Sequence, residues 1–199
     1  MLPVFGSISA AVAAQPKLVL QINADQLRGD LPQRFVDRIG DGGFRYLLNQ
    51  GVVFKDAHHA HASTEAIVGH VTRATGAHPA AHRMVGSVWF DQTLGRLVYH
   101  VGDPRYPLIS SAAGGDSKTE IDPTQKKAQT SGRSPANIQV STFSDELAVL
   151  TAGRTKIVGV SGQDRSAISL AGYAGKAFWF SKSSGEFVSS RFYYREYPE

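Results

Sequence analysis

The chain has 199 residues, of which 42% are hydrophobic, 10% aromatic and 19% charged, with a formal net charge of +4. This is the composition of a globular protein long enough to bury one sizeable core, which excludes a disordered chain, and the absence of cysteine excludes disulfides and thiolate metal sites. The charge is mild and forms no lysine or arginine stripe, so we expect no nucleic-acid partner.

The N-terminal segment 1–14 is small and apolar and ends in Val12-Ala13-Ala14, just before Gln15. It resembles the later part of a secretory signal with a small-residue cleavage site, although the basic region that opens such signals is missing. We therefore expect a periplasmic or secreted protein, with a merely hydrophobic leader as the alternative. No other segment approaches the ~20 apolar residues needed to span a bilayer, so no membrane span is expected.

Three apolar runs have the length of strands buried on both faces: 17–23, 52–54 and 156–160. Such runs are typical of parallel sheets. The pattern predicts an α/β fold, with a mainly parallel sheet flanked by helices. The other expected elements are a broken helix in 35–50, helices over 66–75 and 142–150, short strands in 85–90 and 97–99, a hairpin of 177–180 with 186–188, and a loop insertion at about 104–135.

Two positions lie where an α/β fold places ligands. Asp25 follows the first apolar run, and the carboxyl ends of strands in open sheets are the edge at which ligands bind. A carboxylate there suits a metal ion, and capping of the following segment is the alternative. Ala66 opens the helix over 66–75, whose N-terminus suits a phosphoryl or sulfuryl oxygen.

Three histidines, His58, His59 and His61, lie close together before that helix. Imidazoles at this density suit a transition metal, but the spacing matches no tight ligand pattern. Solvated loop histidines are the alternative, and the pattern favours it.

Several short motifs follow one another in a specific order. They are Asp25-Gln26-Leu27-Arg28 with Asp30, Gly42-Gly43-Phe44, Gly69-His70, Thr75-Gly76, His82, Val85-Gly86 with Trp89-Phe90-Asp91, and Ser161 with Asp164-Arg165. In this order and spacing, residues 17–105 and 134–198 resemble the amino-terminal part of the alkaline phosphatase superfamily. The similar branch contains the phosphate-irrepressible alkaline phosphatases and the type I phosphodiesterase/nucleotide pyrophosphatases. The resemblance implies that 15–199 form the first part of such a domain, incomplete at its C-terminus, with a missing C-terminal half as a partner.

The resemblance also implies a chemistry. The family acts on small phosphate or sulfate esters, and it joins two metal ions, usually zinc, to a phosphorylated-enzyme intermediate. By resemblance, Asp25 would ligate one zinc ion. The nucleophile would lie three residues before Gly69, and that position is Ala66, which has no hydroxyl.

Two further positions depart from the family pattern. Family members commonly have asparagine where this chain has Ser87, and they can have lysine where it has Gln163. Arg165 keeps the expected anion-binding chemistry, because a guanidinium suits a phosphate. We therefore expect a phosphoester hydrolase by ancestry that is inactive as this chain, and a non-catalytic anion-binding module is the alternative.

Overall fold

The computed structural model describes residues 16–110, 128, 131–182 and 184–198, so the expected secretory signal at 1–14 lies outside the described residues. The helices are α1 Leu31–Arg34, α2 Phe44–Gln50, α3 Ala66–Thr75, α4 Pro79–His82, α5 Phe143–Leu150 and α6 Asp164–Ala171, with a 3-10 helix at Val36–Arg38. The strands are β1 Val88–Asp91, β2 Arg96–Tyr99, β3 Gly102–Ile109, β4 Gly132–Arg133, β5 Val158–Ser161, β6 Lys176–Ser181 and β7 Glu186–Ser190.

The described strands form two sheets. The first is the antiparallel hairpin of β1 and β2, and the second has five strands in the order β4-β3-β7-β6-β5. Helix α6 connects β5 to β6, which run parallel to each other. This β–α–β unit brings the start of α6 just past the carboxyl end of β5, at Ser161.

The expectation of a mainly parallel sheet is wrong for the described residues. In the five-stranded sheet only β5 and β6 pair in parallel, and the other three pairings are antiparallel. The run at 156–160 does contain a strand, β5, but no strand forms over 17–23 or 52–54. These two runs lack a ladder partner among the described strands, and their side chains are exposed, Ile22 at 75% and Phe54 at 81%. The fold of the described residues is mixed α/β.

Two hydrophobic clusters hold the elements together. The larger one packs α6 on the sheet and is built from Tyr99, Val101, Ala128, Ala167, Ile168, Ala171, Ala177, Trp179, Val188 and Tyr193. The smaller one buries the apolar face of α3 and comprises Ile67, Val68, Val71, Met84 and Ile138. Helix α3 also packs on α6. The two helices that carry the predicted anion-binding residues are therefore neighbours.

Local sequence explains where these helices end and how closely they pack. Gly76 closes α3 in the left-handed conformation at φ 66°, with its N–H donating to the carbonyl of Thr72. Gly159 of β5 lies against α6, since a Cβ built there would be 2.4 Å from the carbonyl oxygen of Ala167. A side chain at Gly159 would force α6 away from β5.

The expected loop insertion at 104–135 begins and ends in ordered structure. Residues as far as Ile109 belong to β3, and β4 at Gly132–Arg133 pairs with β3 across an irregular register. Apart from Ala128, the residues between 111 and 130 lie outside the described part of the chain.

Candidate functional site

Asp25 is tied to helix α3 rather than to the segment that follows it. Its Oδ1 lies 2.5 Å from Nε2 of His70, so the carboxylate accepts a hydrogen bond from the imidazole. The side-chain amide of Asn23 lies 3.5 Å from the other ring nitrogen. His70 is 1% exposed, so the ring is fixed and orients the carboxylate. The capping alternative for Asp25 is not what the structure shows, because the residue at the N-cap of α1 is Asp30.

His70 is a residue that the sequence argument quoted only as part of a motif. It follows Ala66 by four residues, and residues at i and i+4 share one face of a helix. This spacing was the sequence signal that His70 lies on the same face of α3 as Ala66. The structure gives His70 a definite task, which is to hold Asp25 beside the helix.

Ala66 is the first residue of α3, as the sequence predicted, and it is half-buried. Glu65 precedes it at the N-cap, where no side chain caps the helix. The first intrahelical bond there runs from the N–H of Gly69 to the carbonyl of Glu65. The N–H groups before Gly69 therefore lack intrahelical acceptors, as at any helix N-terminus, and together with the helix dipole they favour an anion.

The main chain of Ser87 links the start of α3 to the residue after β2 by hydrogen bonds. Its N–H donates to Oε2 of Glu65 at 2.7 Å. Its carbonyl accepts from Nδ1 of His100 at 2.6 Å and from the backbone N–H of His100 at 3.3 Å. The sequence gives no signal that singles out Glu65, because acidic residues are common at the starts of helices.

Gln163 and Arg165 occupy the N-terminus of α6. Gln163 is the exposed N-cap, and its side chain makes no capping bond. Arg165 is half-buried, and its Nε is a buried donor with no hydrogen-bond partner among the described residues. Its backbone N–H donates to Oδ1 of Asp164 at 2.7 Å. A guanidinium with a buried, unsatisfied N–H favours an acceptor such as a phosphoryl oxygen.

A buried polar cluster fixes the residue before Arg165. Asp164 accepts from Nε of Arg133 at 2.6 Å and from the hydroxyl of Tyr99 at 3.0 Å. The guanidinium of Arg133 lies over the Tyr99 ring, 4.9 Å from its centroid, and the ring of His100 packs against the same tyrosine at 4.0 Å. These contacts tie the start of α6 to β2 and β4.

The cluster shifts the titration of its members. Burial is the largest single influence on the pKa of Asp164 and raises it, but the charge of Arg133 and the hydrogen bonds from Arg133 and Arg165 act together with other nearby groups to hold this pKa below its ordinary value. Burial, together with the Asp164 charge, raises the pKa of Tyr99 far above its usual range. Burial lowers the pKa of His100 to about 4. At neutral pH the cluster therefore holds a carboxylate and a guanidinium beside a neutral imidazole.

The predicted site residues are connected by hydrogen bonds around α3 and by the packing of α6 on α3. Asp25 and Ala66 lie against and on α3, Ser87 is bonded to the residue before Ala66, and Gln163 and Arg165 lie on α6, which packs on α3. A groove of about 830 Å³ between α5 and the segment 138–141 is lined by none of these residues. These contacts, rather than that groove, define the candidate site.

One of the three loop histidines, His61, belongs to a hydrogen-bonded series with Thr72 and His82. The backbone N–H of Met84 donates to Nδ1 of His82, so Nε2 of His82 carries the proton and donates to Oγ1 of Thr72 at 3.1 Å. The Thr72 hydroxyl then donates to Nε2 of His61 at 3.1 Å, and Nδ1 of His61 donates to the carbonyl of Ser63. His58 is exposed and contacts Asp56. Burial lowers the pKa of His82, which is consistent with this neutral series.

The side chains in the described part of the chain do not fit a two-zinc centre. No three histidine, aspartate or glutamate side chains converge among residues 16–110, 128, 131–182 and 184–198. Asp25 is close to His70, but this pair lacks a third ligand from those ranges. Structural and catalytic zinc sites need at least three protein ligands.

Comparison with known proteins identifies the family. The profile of type I phosphodiesterase / nucleotide pyrophosphatase matches residues 19–147. The chain belongs to this family, whose members are metal-dependent enzymes of the alkaline phosphatase superfamily.

Individual relatives agree with the family match. The chain is 31% identical over 195 residues to alkaline phosphatase PafA of Elizabethkingia meningoseptica, covering 98% of this chain and 33% of that protein. It is 34% identical over 193 residues to alkaline phosphatase PhoV of Synechococcus elongatus, covering 96% of this chain and 32% of that protein.

The fold agrees as well. The crystal structure of wild-type PafA superposes with a TM-score of 0.76 at 32% identity, covering 88% of this chain and 31% of that one. The chain thus spans about a third of the length of the relatives it matches. None of the helices in the described residues is long and apolar enough to cross a membrane.

Proposed function

We propose that the chain is a phosphoester hydrolase by ancestry whose own residues bind an anionic ester group but do not cleave it. The observation that carries this proposal is the methyl group of Ala66 at the first turn of α3. By resemblance, Ala66 would be the nucleophile position, and a methyl group cannot attack phosphorus or form a phosphorylated intermediate.

Neighbouring hydroxyls do not replace the lost one. Ser63 is directed elsewhere, since its Oγ faces the carbonyl oxygen of Val85 at 3.5 Å. Ser63 and Thr64 both lie upstream of the helix start at Ala66, and a misplaced nucleophile loses most of the advantage of proximity. What remains at this edge is the helix N-terminus and the guanidinium of Arg165, which attract and orient an anion without reacting with it.

Binding follows from these residues alone. In the family, zinc would activate the hydroxyl oxygen of the nucleophile, but the described side chains do not fit a two-zinc centre, so no catalytic step is assigned to it. We propose a small phosphate or sulfate ester as the ligand, because both present the tetrahedral oxygens that Arg165 and the amide groups suit.

The test compares turnover of aryl phosphate monoesters and diesters with added zinc. Wild type and Ala66→Thr are each assayed as the 199-residue chain and as a fusion to the C-terminal part of a family phosphatase. We expect no turnover above buffer from either short chain, because loss of the nucleophile alone costs several orders of magnitude and its return leaves the ligands incomplete. We expect turnover from the fused Ala66→Thr protein only.

The matched control is Ala62→Thr in the same fusion. It adds the same hydroxyl in the exposed loop before α3, away from the first helical residue, and should stay inactive. Hydrolysis by the short wild-type chain would overturn the proposal. An inactive fused Ala66→Thr protein that still binds phosphate would favour the second candidate, a non-catalytic anion-binding module, to which the unsatisfied Nε of Arg165 points.

We also propose export to the periplasm or the medium, on the composition of 1–14. Expression of the full sequence in a bacterial host, followed by N-terminal sequencing of each cell fraction, tests it. An exported product beginning at Gln15 is the expected result. An unprocessed product confined to the cytoplasm would contradict it.

A further inference from the structure

Glu65 places a carboxylate directly on the candidate anion site. Its Oε2 accepts the backbone N–H of Ser87 at 2.7 Å. Ser87 is the residue at which the family pattern expects a group that binds a phosphoryl oxygen. The backbone N–H of Ser87 already donates to an anionic oxygen of the protein itself.

The Glu65 carboxylate also lies close to Gly86. A Cβ built on Gly86 would lie 3.4 Å from Oε1 of Glu65 and 3.7 Å from Oε2. Both carboxylate oxygens thus lie against the backbone of Gly86 and Ser87. No ion pair within the described residues joins Glu65 to a cation, so its charge is not offset by a neighbouring side chain.

The position of Glu65 in the helix strengthens the effect. It is the N-cap of α3, immediately before Ala66, so its charge lies at the positive end of the helix dipole. A carboxylate at that end occupies the favourable potential that an external anion would use. The negative charge of Glu65 also repels any second anion that binds close to it.

We propose that Glu65 is an internal competitor for the ester's anionic group. To bind, a phosphate or sulfate must displace the carboxylate from the Ser87 N–H or accept its repulsion. This inference rests on the proposed function, because it assumes that the edge beside Ala66 binds anions. In this role, Glu65 lowers the affinity of that edge for anions.

Equilibrium dialysis of labelled inorganic phosphate against the 199-residue chain tests the proposal, since dialysis tolerates dilute protein. The variants are Glu65→Gln, which removes the charge, and Glu65→Ala, which removes the charge and the acceptor. Removing a like charge a few ångströms away near a surface should tighten phosphate binding about fivefold. Glu65→Ala should tighten it at least as much, because the Ser87 N–H is then free for the ligand.

Glu146→Gln is the matched control. Glu146 is also an exposed glutamate in the first turn of a helix, α5, and accepts a hydrogen bond from Ser141, but it lies away from the site. Its phosphate affinity should equal that of wild type. Amide hydrogen exchange provides a readout without ligand: the Ser87 amide should exchange faster in Glu65→Ala and unchanged in Glu146→Gln.

The outcomes separate the two proposals. Equal phosphate affinity in wild type and both Glu65 variants, weakened in each background by Arg165→Ala, would overturn the role of Glu65 and leave the anion edge intact. No phosphate binding in any variant would overturn the anion edge and the role of Glu65 together. Tighter binding in both Glu65 variants that Arg165→Ala removes would support both.

Discussion

Asp164 determines where Arg165 can act. Its Oδ1 accepts from the backbone N–H of Arg165 and from the hydroxyl of Tyr99, and its Oδ2 accepts from the guanidinium of Arg133. Asp164 and Arg133 are buried, with side-chain exposures of 4% and 0%. Removing one member of such a pair leaves a buried charge without compensation, which is more costly than never having built the pair.

We therefore expect Asp164→Asn to destabilise the start of α6 by about 3 kcal/mol or more. Amide hydrogen exchange across α6 measures this, since local opening exposes those amides. Asp56→Asn is the control, because Asp56 is an exposed carboxylate whose contact is with exposed His58. Unchanged protection of α6 in Asp164→Asn would contradict a structural role for the cluster.

His100 makes the same region sensitive to acid. Its folded pKa is about 4, against an ordinary value of 6.5, because burial disfavours the charged ring. The unfolded chain therefore binds the extra proton first as the pH falls. This contribution to the free energy of unfolding is fully present above about pH 6.5 and is lost progressively toward pH 4. By pH 5 the loss amounts to about 2 kcal/mol.

The measurement is the protection of α6 amides, corrected for intrinsic exchange, at about pH 7.5 and about pH 5. Wild type should lose protection at the lower pH, and His100→Gln should show a flatter dependence because it cannot take the proton. His58→Gln, at an exposed histidine, should behave as wild type. A pH dependence that survives in His100→Gln would assign the effect to another group.

At the scale of elements, α5 shows how a short helix is anchored at its N-terminus. Thr142 accepts from the backbone N–H of Asp145, and the Asp145 carboxylate accepts from the backbone N–H of Thr142, which forms a capping box. The same carboxylate accepts the N–H groups of Tyr173 and Ala174, just after α6. One aspartate thus fixes the start of α5 and the end of the β5–α6 unit.

Thr142→Ala should destabilise α5 by about 1 kcal/mol, the usual cost of a lost N-cap. The loss should appear as faster amide exchange in α5 with α3 unaffected. Thr93→Ala is the matched control, because Thr93 is an exposed turn residue that takes part through its backbone N–H. Equal exchange in the two variants would show that the cap contributes nothing.

The sequence predicted the elements whose signals are local. The helix over 66–75 is confirmed as α3 with the same limits, because Ile67, Val71 and Ala74 repeat at helical spacing and Gly76 can adopt a positive φ. The expected hairpin of 177–180 with 186–188 is confirmed as the antiparallel pair of β6 and β7, because its signal, two apolar runs around a short turn, is also local. The helix expected over 142–150 is confirmed as α5, which begins one residue later because Thr142 is its N-cap.

The sequence failed where structure depends on distant partners. Runs such as 17–23 record that a segment suits burial, but a strand also needs a neighbour for its backbone N–H and C=O groups. Likewise, the Asp164–Arg133 pair joins residues 31 positions apart through a register that no local pattern contains. The candidate site was found by resemblance and motif order, and Glu65 and His100 emerged only from the geometry.

At the scale of the whole molecule, the surface carries apolar side chains on several elements. Among the described strands, β5 pairs only with β6 and lies at the edge of the sheet, and its Val158 and Val160 are 60% and 61% exposed. Exposed apolar residues also lie in 18–22, in 52–54 and at Val149 and Leu150 of α5. An open apolar strand edge offers unpaired backbone groups and a surface that favours association with other chains.

We expect the isolated chain to be aggregation-prone or molten at micromolar concentration, as judged by light scattering after size exclusion and by the cooperativity of urea unfolding.

A charge on the exposed edge should reduce association, because lysine on an edge strand opposes pairing with another strand. Val160→Lys should therefore scatter less than wild type, whereas Val85→Lys, an equally sized change at an exposed valine outside the strands, should not. A monomeric wild-type chain that unfolds in one cooperative step would show that the described surface is stable without a cover. Equal scattering by the two lysine variants would mean that general charge, and not the open edge of β5, governs the association.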